Sequence, residues 1–370
     1  MMGIIYTEEK DFDLKSLTQK RSIAALPIWG RYRMIDFMLS NMVNSGIQNI
    51  GIITKKNYSS LMNHLATGKE WDLDRKKDGL FILTPYRKHE KDHDYKGSTY
   101  AFRSIMDYVK RSTQEYVLIC GSHMICNLTY NDMLDFHIEK GADITFLYKE
   151  EKELVDEATK EYILMDISGD GRVASFDYHR KNSSLKSICM KMMIMSKKLF
   201  EELIEEGAAC GKSDFIIDII SKNVDRLKYY AYPYRGYLAK VHSIVNYYNC
   251  NMDMLNVEKR NEIFHENGKV YTRIKDETPV FYGKHAIVKN SAVAEGCTID
   301  GYVENSVIFR GVNVEKGANV QNCIVLPNCV IQENSKLENV ILGKNVRVRR
   351  KKNLKGELNY PFVVEKGQLI

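Results

Sequence analysis

The strongest constraint on the fold is a repeat of single aliphatic residues within residues 281–370. Within each group these residues recur at steps of six, the step between the last groups shortens to five, and asparagine and glycine fill the intervals, as in residues 315–319. A step of six fits a triangular coil, in which each short face is a strand that directs one side chain into a shared core. Ordinary antiparallel strands, the alternative, would alternate at every second residue. The repeat therefore predicts a left-handed β-helix. The residues expected inside it are Ile287, Val293, Ile299, Ile308, Val314, Val320, Val325, Ile331, Leu337, Leu342 and Val348.

Length and composition indicate a folded protein of two domains. The chain has 370 residues, of which 44% are hydrophobic and 28% are charged. It contains neither a long apolar run nor an N-terminal signal pattern, so we expect a cytoplasmic protein with no membrane partner. The eight cysteines form no CxxC pair, so reduced thiols are expected rather than a metal site. The net charge of +6 permits small anionic ligands and does not call for nucleic acid.

Residues 1–243 alternate between strand-like and helix-like segments. This rhythm predicts an α/β domain with a Rossmann-like, mostly parallel sheet covered by helices on both faces. Residues 244–280 are expected to form a helical linker, and the β-helix domain is expected to span 281–370. The segments that carry the prediction are strands at 47–54, 116–120 and 143–148, and helices at 58–64, 101–111 and 128–140.

Several blocks of sequence resemble one enzyme family, and they follow its order along nearly the whole chain. The matching blocks are 17–27, 30–37, 39–41, 44–47, 95–98, 213–215, 218–220 and 231–237. On these blocks the chain is similar to the bacterial ADP-glucose pyrophosphorylases, also called glucose-1-phosphate adenylyltransferases. The resemblance implies a nucleotidyltransferase domain followed by a β-helix. It also implies a reaction of ATP with glucose 1-phosphate that yields ADP-glucose and pyrophosphate.

The phosphate-binding positions that the resemblance implies carry the wrong residues. Glu8, Glu9 and Asp11 stand where the family has glycines, and Asp13 stands where it has an arginine. Backbone amides of a glycine-rich turn can cradle a triphosphate, whereas four carboxylates would repel it. The family's activating lysine is replaced by Ile23.

The two aspartates that hold magnesium in the family are also missing. Ser122 and Lys240 stand at their positions. Magnesium requires oxygen ligands, above all carboxylates. We therefore expect this chain to bind no cofactor and the Mg²⁺ to belong to an active paralogue.

The sugar-phosphate cleft of the family is partly preserved. Gly97 and Ser98 match its sugar-nucleotide loop, and Asp214 is retained either as a ligand contact or as a helix N-cap. The family's glutamate, lysine and serine are replaced by Tyr178, His179 and Cys189.

A basic cluster survives at the expected junction of the domains. Lys20, Arg21 and Arg33 resemble the family's site for anionic effectors such as sugar bisphosphates. Such a ligand needs several converging cations, which could come from the β-helix. The alternatives are ordinary surface charge, or an Arg33 that pairs with Asp36. The β-helix residues expected to complete the cluster are Arg347, Arg349 and Arg350.

Together these substitutions predict a regulatory, non-catalytic subunit in glycogen biosynthesis. Its expected partner is an active ADP-glucose pyrophosphorylase subunit in a mixed tetramer. A weakly active nucleotidyltransferase with a rebuilt site is one alternative. A stand-alone sugar-phosphate sensor or a hexapeptide acyltransferase is the other.

Overall fold

The computed structural model describes residues 1–7, 14–54, 57–84, 97–150, 162–178 and 186–370. The α-helices are Lys15–Thr18, Met34–Asn44, Ser59–Leu65, Ser98–Ser104, Met106–Arg111, Asn131–Glu139, Lys197–Ala209, Ile244–Met252 and Val257–Asn261. Short 3₁₀ turns are Ile23–Ala25, Lys69–Trp71, Ile220–Asn223 and Asp253–Leu255, and π-helical turns are Phe215–Ile219 and Glu262–Glu266.

The strands of the first domain are numbered β1 to β13. They are β1 Met2–Tyr6, β2 Pro27–Ile28, β3 Tyr32–Arg33, β4 Asn49–Ile53, β5 Gly79–Leu83, β6 Tyr116–Gly121, β7 Met124–Ile125, β8 Ile144–Glu150, β9 Ile163–Ile167, β10 Val173–Tyr178, β11 Ser187–Ser196, β12 Tyr229–Pro233 and β13 Ala239–Lys240.

The main sheet has nine strands, with the order β10-β9-β11-β6-β1-β4-β5, while β8 lies between β11 and β12. Strands β6, β1, β4 and β5 run parallel, as does β12 beside β8, and β11 is antiparallel to β6 and β8. The central strands are buried on both faces, which is why their sequences are continuous apolar runs. The expected α/β architecture is therefore confirmed.

The helix expected over residues 101–111 is divided in two at Ile105. Its backbone (φ −105°, ψ 8°) leaves the helical region between Ser98–Ser104 and Met106–Arg111. The other predicted segments form the expected kinds of element, with ends that differ by up to three residues.

The second domain is a left-handed β-helix made of three flat faces, each with five parallel strands. The first face comprises Phe281–Tyr282, Thr298–Ile299, Asn313–Val314, Val330–Ile331 and Arg347–Val348. The second face comprises Ile287–Lys289, Tyr302–Glu304, Asn319–Gln321, Lys336–Glu338 and Asn353–Lys355. The third face comprises Ala292–Val293, Val307–Ile308, Ile324–Val325, Val340–Leu342 and Phe362–Val364.

The core of the β-helix contains nearly all of the residues predicted for it. Those from Ile299 to Val348 are buried there, and Val293 is partly buried against them. The prediction for Ile287 was wrong, because this side chain is 51% exposed and its neighbour Val288 packs on the core instead. In the first coil Val288 is in register with Val303 of the next coil, which fixes the inward position.

The third face of the β-helix packs on the α/β domain. Its outward side chains Val307, Phe309, Ile324 and Leu326 belong to the same apolar cluster as the helix Met34–Asn44. Between the domains, the helical segment that begins at Ile244 ends at Glu266, and the chain then runs without helix to the first β-helix strand at Phe281. Among the described residues, no helix has the length and apolar character needed to cross a membrane.

Candidate functional site

Two distant segments meet at the edge of the main sheet where the parallel strands end. Strand β6 ends at Gly121, beside Tyr6 at the end of β1, and Ser122 follows directly. Strand β13 pairs with β7 so that Lys240 lies opposite Met124. A hydrogen bond of 2.9 Å from the Val241 N–H to the His123 carbonyl holds the two segments together. Ligands of parallel α/β sheets bind at this edge.

Lys240 is a buried cation in this cleft. Its side chain is 7% exposed, and its Nζ lies 4.2 Å from the centre of the Tyr162 ring, where the negative face of the ring stabilises it. His242, two residues further along, packs against the same ring. The pKa of His242 is lowered to about 4, first by burial and then by the charges of Lys240 and His123.

Ser122 offers one hydroxyl to the cleft. The residue is fully buried, and its Oγ has no hydrogen-bond partner among the described residues. A hydroxyl and an ammonium do not form a magnesium site, because Mg²⁺ takes oxygen ligands and repels a cation. No group of three or more His, Cys, Asp or Glu side chains in the described ranges is arranged to hold a metal ion. The residues present at the two family positions therefore do not fit Mg²⁺.

Gly97 and Ser98 are held against the turn that contains Asp214. Gly97 has φ +105°, and a Cβ on it would lie 2.0 Å from the Ser213 carbonyl oxygen. The Thr99 N–H donates to that same oxygen at 3.0 Å, and the Ser98 Oγ accepts from the Phe215 N–H at 2.8 Å. This contact requires glycine at position 97, so its occurrence in the motif has a packing reason.

Asp214 caps the turn Phe215–Ile219. Its Oδ1 accepts from the N–H groups of Ile216 and Ile217 at 3.0 and 2.9 Å. The capping role weighed in the sequence is therefore present. Asp218 binds back to the N–H groups of Ser213 and Asp214, and these bonds hold the pKa of its carboxyl below the usual range.

Tyr178 and Cys189 lie on neighbouring parts of the sheet. The Tyr178 hydroxyl donates to the Ile216 carbonyl at 3.5 Å, which places it beside the Asp214 turn. Cys189 is buried, and burial raises the pKa of its thiol to about 11, although Lys191 and Lys240 oppose the shift. The Cys189 thiol is therefore neutral, and a neutral thiol is a weak nucleophile and a poor phosphate ligand.

Ile23 belongs to the apolar core. It begins the turn Ile23–Ala25, is 7% exposed and packs in the large cluster of the first domain. In the structure, Ile23 therefore contributes apolar packing. Glu8, Glu9, Asp11, Asp13 and His179 lie outside the described residues.

Arg33 and Arg21 lie at the junction of the two domains. The Arg33 guanidinium donates to the carbonyl and hydroxyl of Ser60 at 2.9 and 2.8 Å. Its contact with Asp36 is made by the backbone N–H, at 2.9 Å, rather than by the guanidinium. The pKa of Arg33 is lowered to about 10, first by burial and then by the charges of Arg21 and Arg273, while Asp36 opposes the shift.

Lys344 of the β-helix adds a further cation to this junction. Its pKa is lowered by burial and then by Lys275, Lys366, Arg33 and Arg21. These like charges repel one another across the domain boundary, which is the electrostatic condition for binding an anion. We call Arg21, Arg33, Arg273, Lys275, Lys344 and Lys366 the junction cluster.

The other predicted effector residues are exposed. Lys20 lies in the turn after the helix Lys15–Thr18. Arg350 forms an ion pair of 3.6 Å with Glu333, and the N–H groups of Arg347 and Arg349 donate to Gln368 and Ile370. Sequence reasoning expected these arginines at the cluster and missed Lys344, an isolated lysine whose position only the packing of the coil reveals.

Comparison with known proteins agrees with both domains. A family model described as nucleotidyl transferase matches residues 13–254, and one described as GlmU-like, C-terminal hexapeptide matches residues 279–356. The chain is 39% identical to the glycogen biosynthesis protein GlgD of Bacillus subtilis strain 168, over 99% of this chain and 96% of that protein. It is 32% identical to a glucose-1-phosphate adenylyltransferase of Bacillus mycoides, over 95% of this chain and 93% of that protein. The corresponding enzyme of Clostridium novyi is 32% identical, over 85% and 82%.

The fold and the cleft thus define a nucleotidyltransferase-type α/β domain joined to a hexapeptide β-helix. Within that class, the chain belongs to the family of the glucose-1-phosphate adenylyltransferases and GlgD.

Proposed function

We propose that this chain is a regulatory, non-catalytic subunit of a glucose-1-phosphate adenylyltransferase in glycogen biosynthesis. It would act in the cytoplasm, within a hetero-oligomer that contains an active paralogue. The observation that carries the proposal is the meeting of Ser122 and Lys240 at one edge of the sheet. The resemblance of the sequence implies that these two residues replace the family's magnesium-binding aspartates. Similarity to GlgD, whose name associates it with glycogen biosynthesis, supports the pathway.

The electrostatics of the cleft oppose the metal-dependent reaction. A lysine ammonium about 4 Å from Mg²⁺ would repel it by about 2 kcal/mol in water and by more in a buried cleft. Loss of the two carboxylates also removes the attraction that would offset this repulsion. In this proposal the chain itself binds no cofactor, and the Mg²⁺ belongs to the active subunit.

The proposed regulation depends on the junction cluster. Its cations come from the first domain, from the segment between the domains and from the β-helix. An anionic sugar phosphate bound there would relieve their repulsion and draw the domains together. If this changes the preferred assembly state, the effect reaches the active partner as a difference in binding free energy between two states.

An assay of the purified chain, alone and mixed with the active paralogue, tests the proposal. We expect no ADP-glucose formation by the chain alone, a stable complex on size-exclusion chromatography, and an altered turnover or effector response of the partner. A matched mixture with an unrelated β-helix protein controls for nonspecific stabilisation. Turnover by the chain alone that equals the mixture would contradict the proposal and favour a rebuilt catalytic site.

A further inference from the structure

A polar stripe on the helix Met34–Asn44 holds the chain that links the two domains. Asp36, Ser40 and Asn44 stand at every fourth position, so their side chains lie in one line along the helix. Each of the three makes a hydrogen bond with residues 267–273, a segment that is neither helix nor strand. We call this segment the strap. The bonds follow one another in order, so the strap lies along the stripe and antiparallel to the helix.

The main chain of the strap is paired by side chains of the helix. The Tyr271 N–H donates to the Ser40 Oγ at 2.8 Å. The Asn44 Nδ2 donates to the Lys269 carbonyl at 3.0 Å. A Cβ on Gly268 would lie 2.6 Å from that same Nδ2, so the close approach of strap and helix requires glycine there. Irregular chain usually runs over the surface because its buried main-chain groups lack partners, and here the stripe provides them.

Asn127 holds the first end of the strap. Its Nδ2 donates to the carbonyls of Ile263 and Gly268 at 2.6 and 2.9 Å, and the residue is buried. The Asn267 Nδ2 donates back to the Asn127 carbonyl at 3.0 Å. One residue separates Asn127 from strand β7, which pairs with β13 at the border of the cleft. A movement of the strap therefore acts directly on residues 124–128, which form this border.

The last end of the strap carries positive charge into the junction cluster. Arg273 ends the strap and donates to the Asn63 carbonyl, and Lys275 follows two residues later. Burial and then like charges that include Arg273 lower the pKa of Arg33 to about 10. Burial and then Lys275 lower the pKa of Lys344. Repulsion among these cations therefore opposes the seating of the strap at this end.

We propose that the strap couples the junction cluster to the border of the cleft. Neutralisation of the cluster by a bound anion seats the end of the strap on the helix Met34–Asn44, and the seated strap holds residues 124–128 through Asn127. The strap and this border then open and close as one cooperative unit, which charges at one end and hydrogen bonds at the other both bias. The inference rests on the proposed regulatory function, since it names the segment through which the junction cluster acts.

Hydrogen–deuterium exchange of the full chain, read by mass spectrometry, tests the coupling without ligand or partner. Ser40→Ala removes the acceptor of the Tyr271 N–H. Exchange should accelerate by at least about threefold in peptides that cover the strap, because a buried hydrogen bond is lost. A similar acceleration should appear in peptides that cover residues 124–128, since Asn127 links them to the strap.

Ser335→Ala is the matched control for this variant. Ser335 is as fully buried as Ser40, and its Oγ also bonds to the main chain, at the Gln332 carbonyl within the β-helix. The control loses a comparable hydrogen bond at a place that does not contact the strap. It should leave exchange in the strap and in residues 124–128 unchanged.

Lys275→Gln tests the part that charge plays. Removal of one cation from the junction cluster should slow exchange in both segments by at least about twofold at low ionic strength, and the difference should vanish in high salt, where the repulsion is screened. Lys275 is exposed, so the substitution leaves the fold intact. Lys284→Gln, which removes an exposed charge from the first coil of the β-helix, should change neither segment.

The outcomes separate the inference from the proposed function. Acceleration that Ser40→Ala confines to the strap would show that the strap and residues 124–128 open independently, and it would overturn the inference. So would unchanged exchange in both segments of Ser40→Ala, or exchange in Lys275→Gln that equals that of the parent at low ionic strength. These measurements involve neither an effector nor the active paralogue, so the regulatory function stands or fails by its own assay.

Discussion

The hydroxyl of Tyr248 donates a hydrogen bond of 2.7 Å to the carbonyl of Asn322. Tyr248 belongs to the helix Ile244–Met252, whereas Asn322 turns the chain between the second and third faces of the β-helix with φ +51°. The bond therefore joins the segment that follows the α/β domain directly to the third face that packs on it. The tyrosine thereby gives a hydrogen-bond partner to a main-chain carbonyl at the corner of the coil.

Replacement of Tyr248 by phenylalanine should weaken the attachment of the β-helix. The ring is 4% exposed and would remain packed, so the loss is that of one buried hydrogen bond, about 1 kcal/mol. Differential scanning calorimetry should show a lower midpoint for the unfolding transition that includes the domain junction. Tyr302→Phe is the control, because its hydroxyl bonds to Glu304 within the second face. Equal effects of both changes would argue against a specific junction bond.

Gly97→Ala should disrupt the docking of residues 97–99 on the Asp214 turn. The new Cβ would meet the Ser213 carbonyl oxygen at 2.0 Å, and the backbone at φ +105° is unfavourable for alanine. We expect a destabilisation of about 3 kcal/mol or more in urea unfolding. Gly141→Ala is the matched control: it also has positive φ (+54°), but nothing lies within 4 Å of its Cβ position, so it should cost about 1 kcal/mol.

Lys344→Met should reduce the response to a sugar bisphosphate. The variant removes one charge from the junction cluster, so the unliganded protein should be more stable at low ionic strength, and the gain should vanish in high salt. Binding of fructose 1,6-bisphosphate, measured by the shift of the unfolding midpoint, should weaken at least about tenfold. Lys336→Met, on the outer side of the second face, should change neither property. An unchanged bisphosphate response in Lys344→Met would remove the β-helix from the effector site.

The core of the β-helix could be predicted because one aliphatic residue per face must point inward. This requirement produces a six-residue spacing of aliphatic residues in the sequence. The error at Ile287 has a local cause. Ala286, Ile287 and Val288 are all apolar, so the sequence does not distinguish the inward position, and only the register with the next coil decides it. Resemblance to the family identified Ser122 and Lys240 as altered positions. It did not place Tyr162 beside Lys240 or Lys344 beside Arg33, because those contacts depend on tertiary packing.

A buried carboxylate network beneath Arg33 gives a further test. Asp36 is fully buried and accepts from the Arg33 N–H at 2.9 Å and the Thr272 hydroxyl at 2.5 Å, and its Oδ1 lies 2.6 Å from His64 Nε2. Asp36→Asn should cost about 2 to 4 kcal/mol, because an amide cannot accept from all three donors. Thr272→Val removes one donor and should cost about 1 kcal/mol. Urea unfolding of the two variants checks this order, and the reverse order would show that Thr272 dominates the network.

His242 should make the stability of the protein fall in mild acid. Its pKa is about 4 in the folded chain, against an ordinary value of 6.5, because burial, Lys240 and His123 all disfavour the imidazolium. Between these two pH values the unfolded chain binds a proton that the folded chain does not. The free energy of unfolding therefore decreases as the pH drops from 6.5 towards 4. Above pH 6.5 both states are neutral and the contribution is complete. The loss has an upper limit of about 3 kcal/mol.

His242→Gln removes this titration and should flatten the dependence of the unfolding free energy on pH between 6.5 and 4. The comparison is made by urea unfolding at several pH values, which separates the slope from any constant cost of the substitution. His265→Gln, at an exposed position, should leave the slope of the parent protein unchanged. A slope in His242→Gln equal to that of the parent would show that the pKa of His242 is the same in the folded and the unfolded chain, so that neither burial nor Lys240 lowers it.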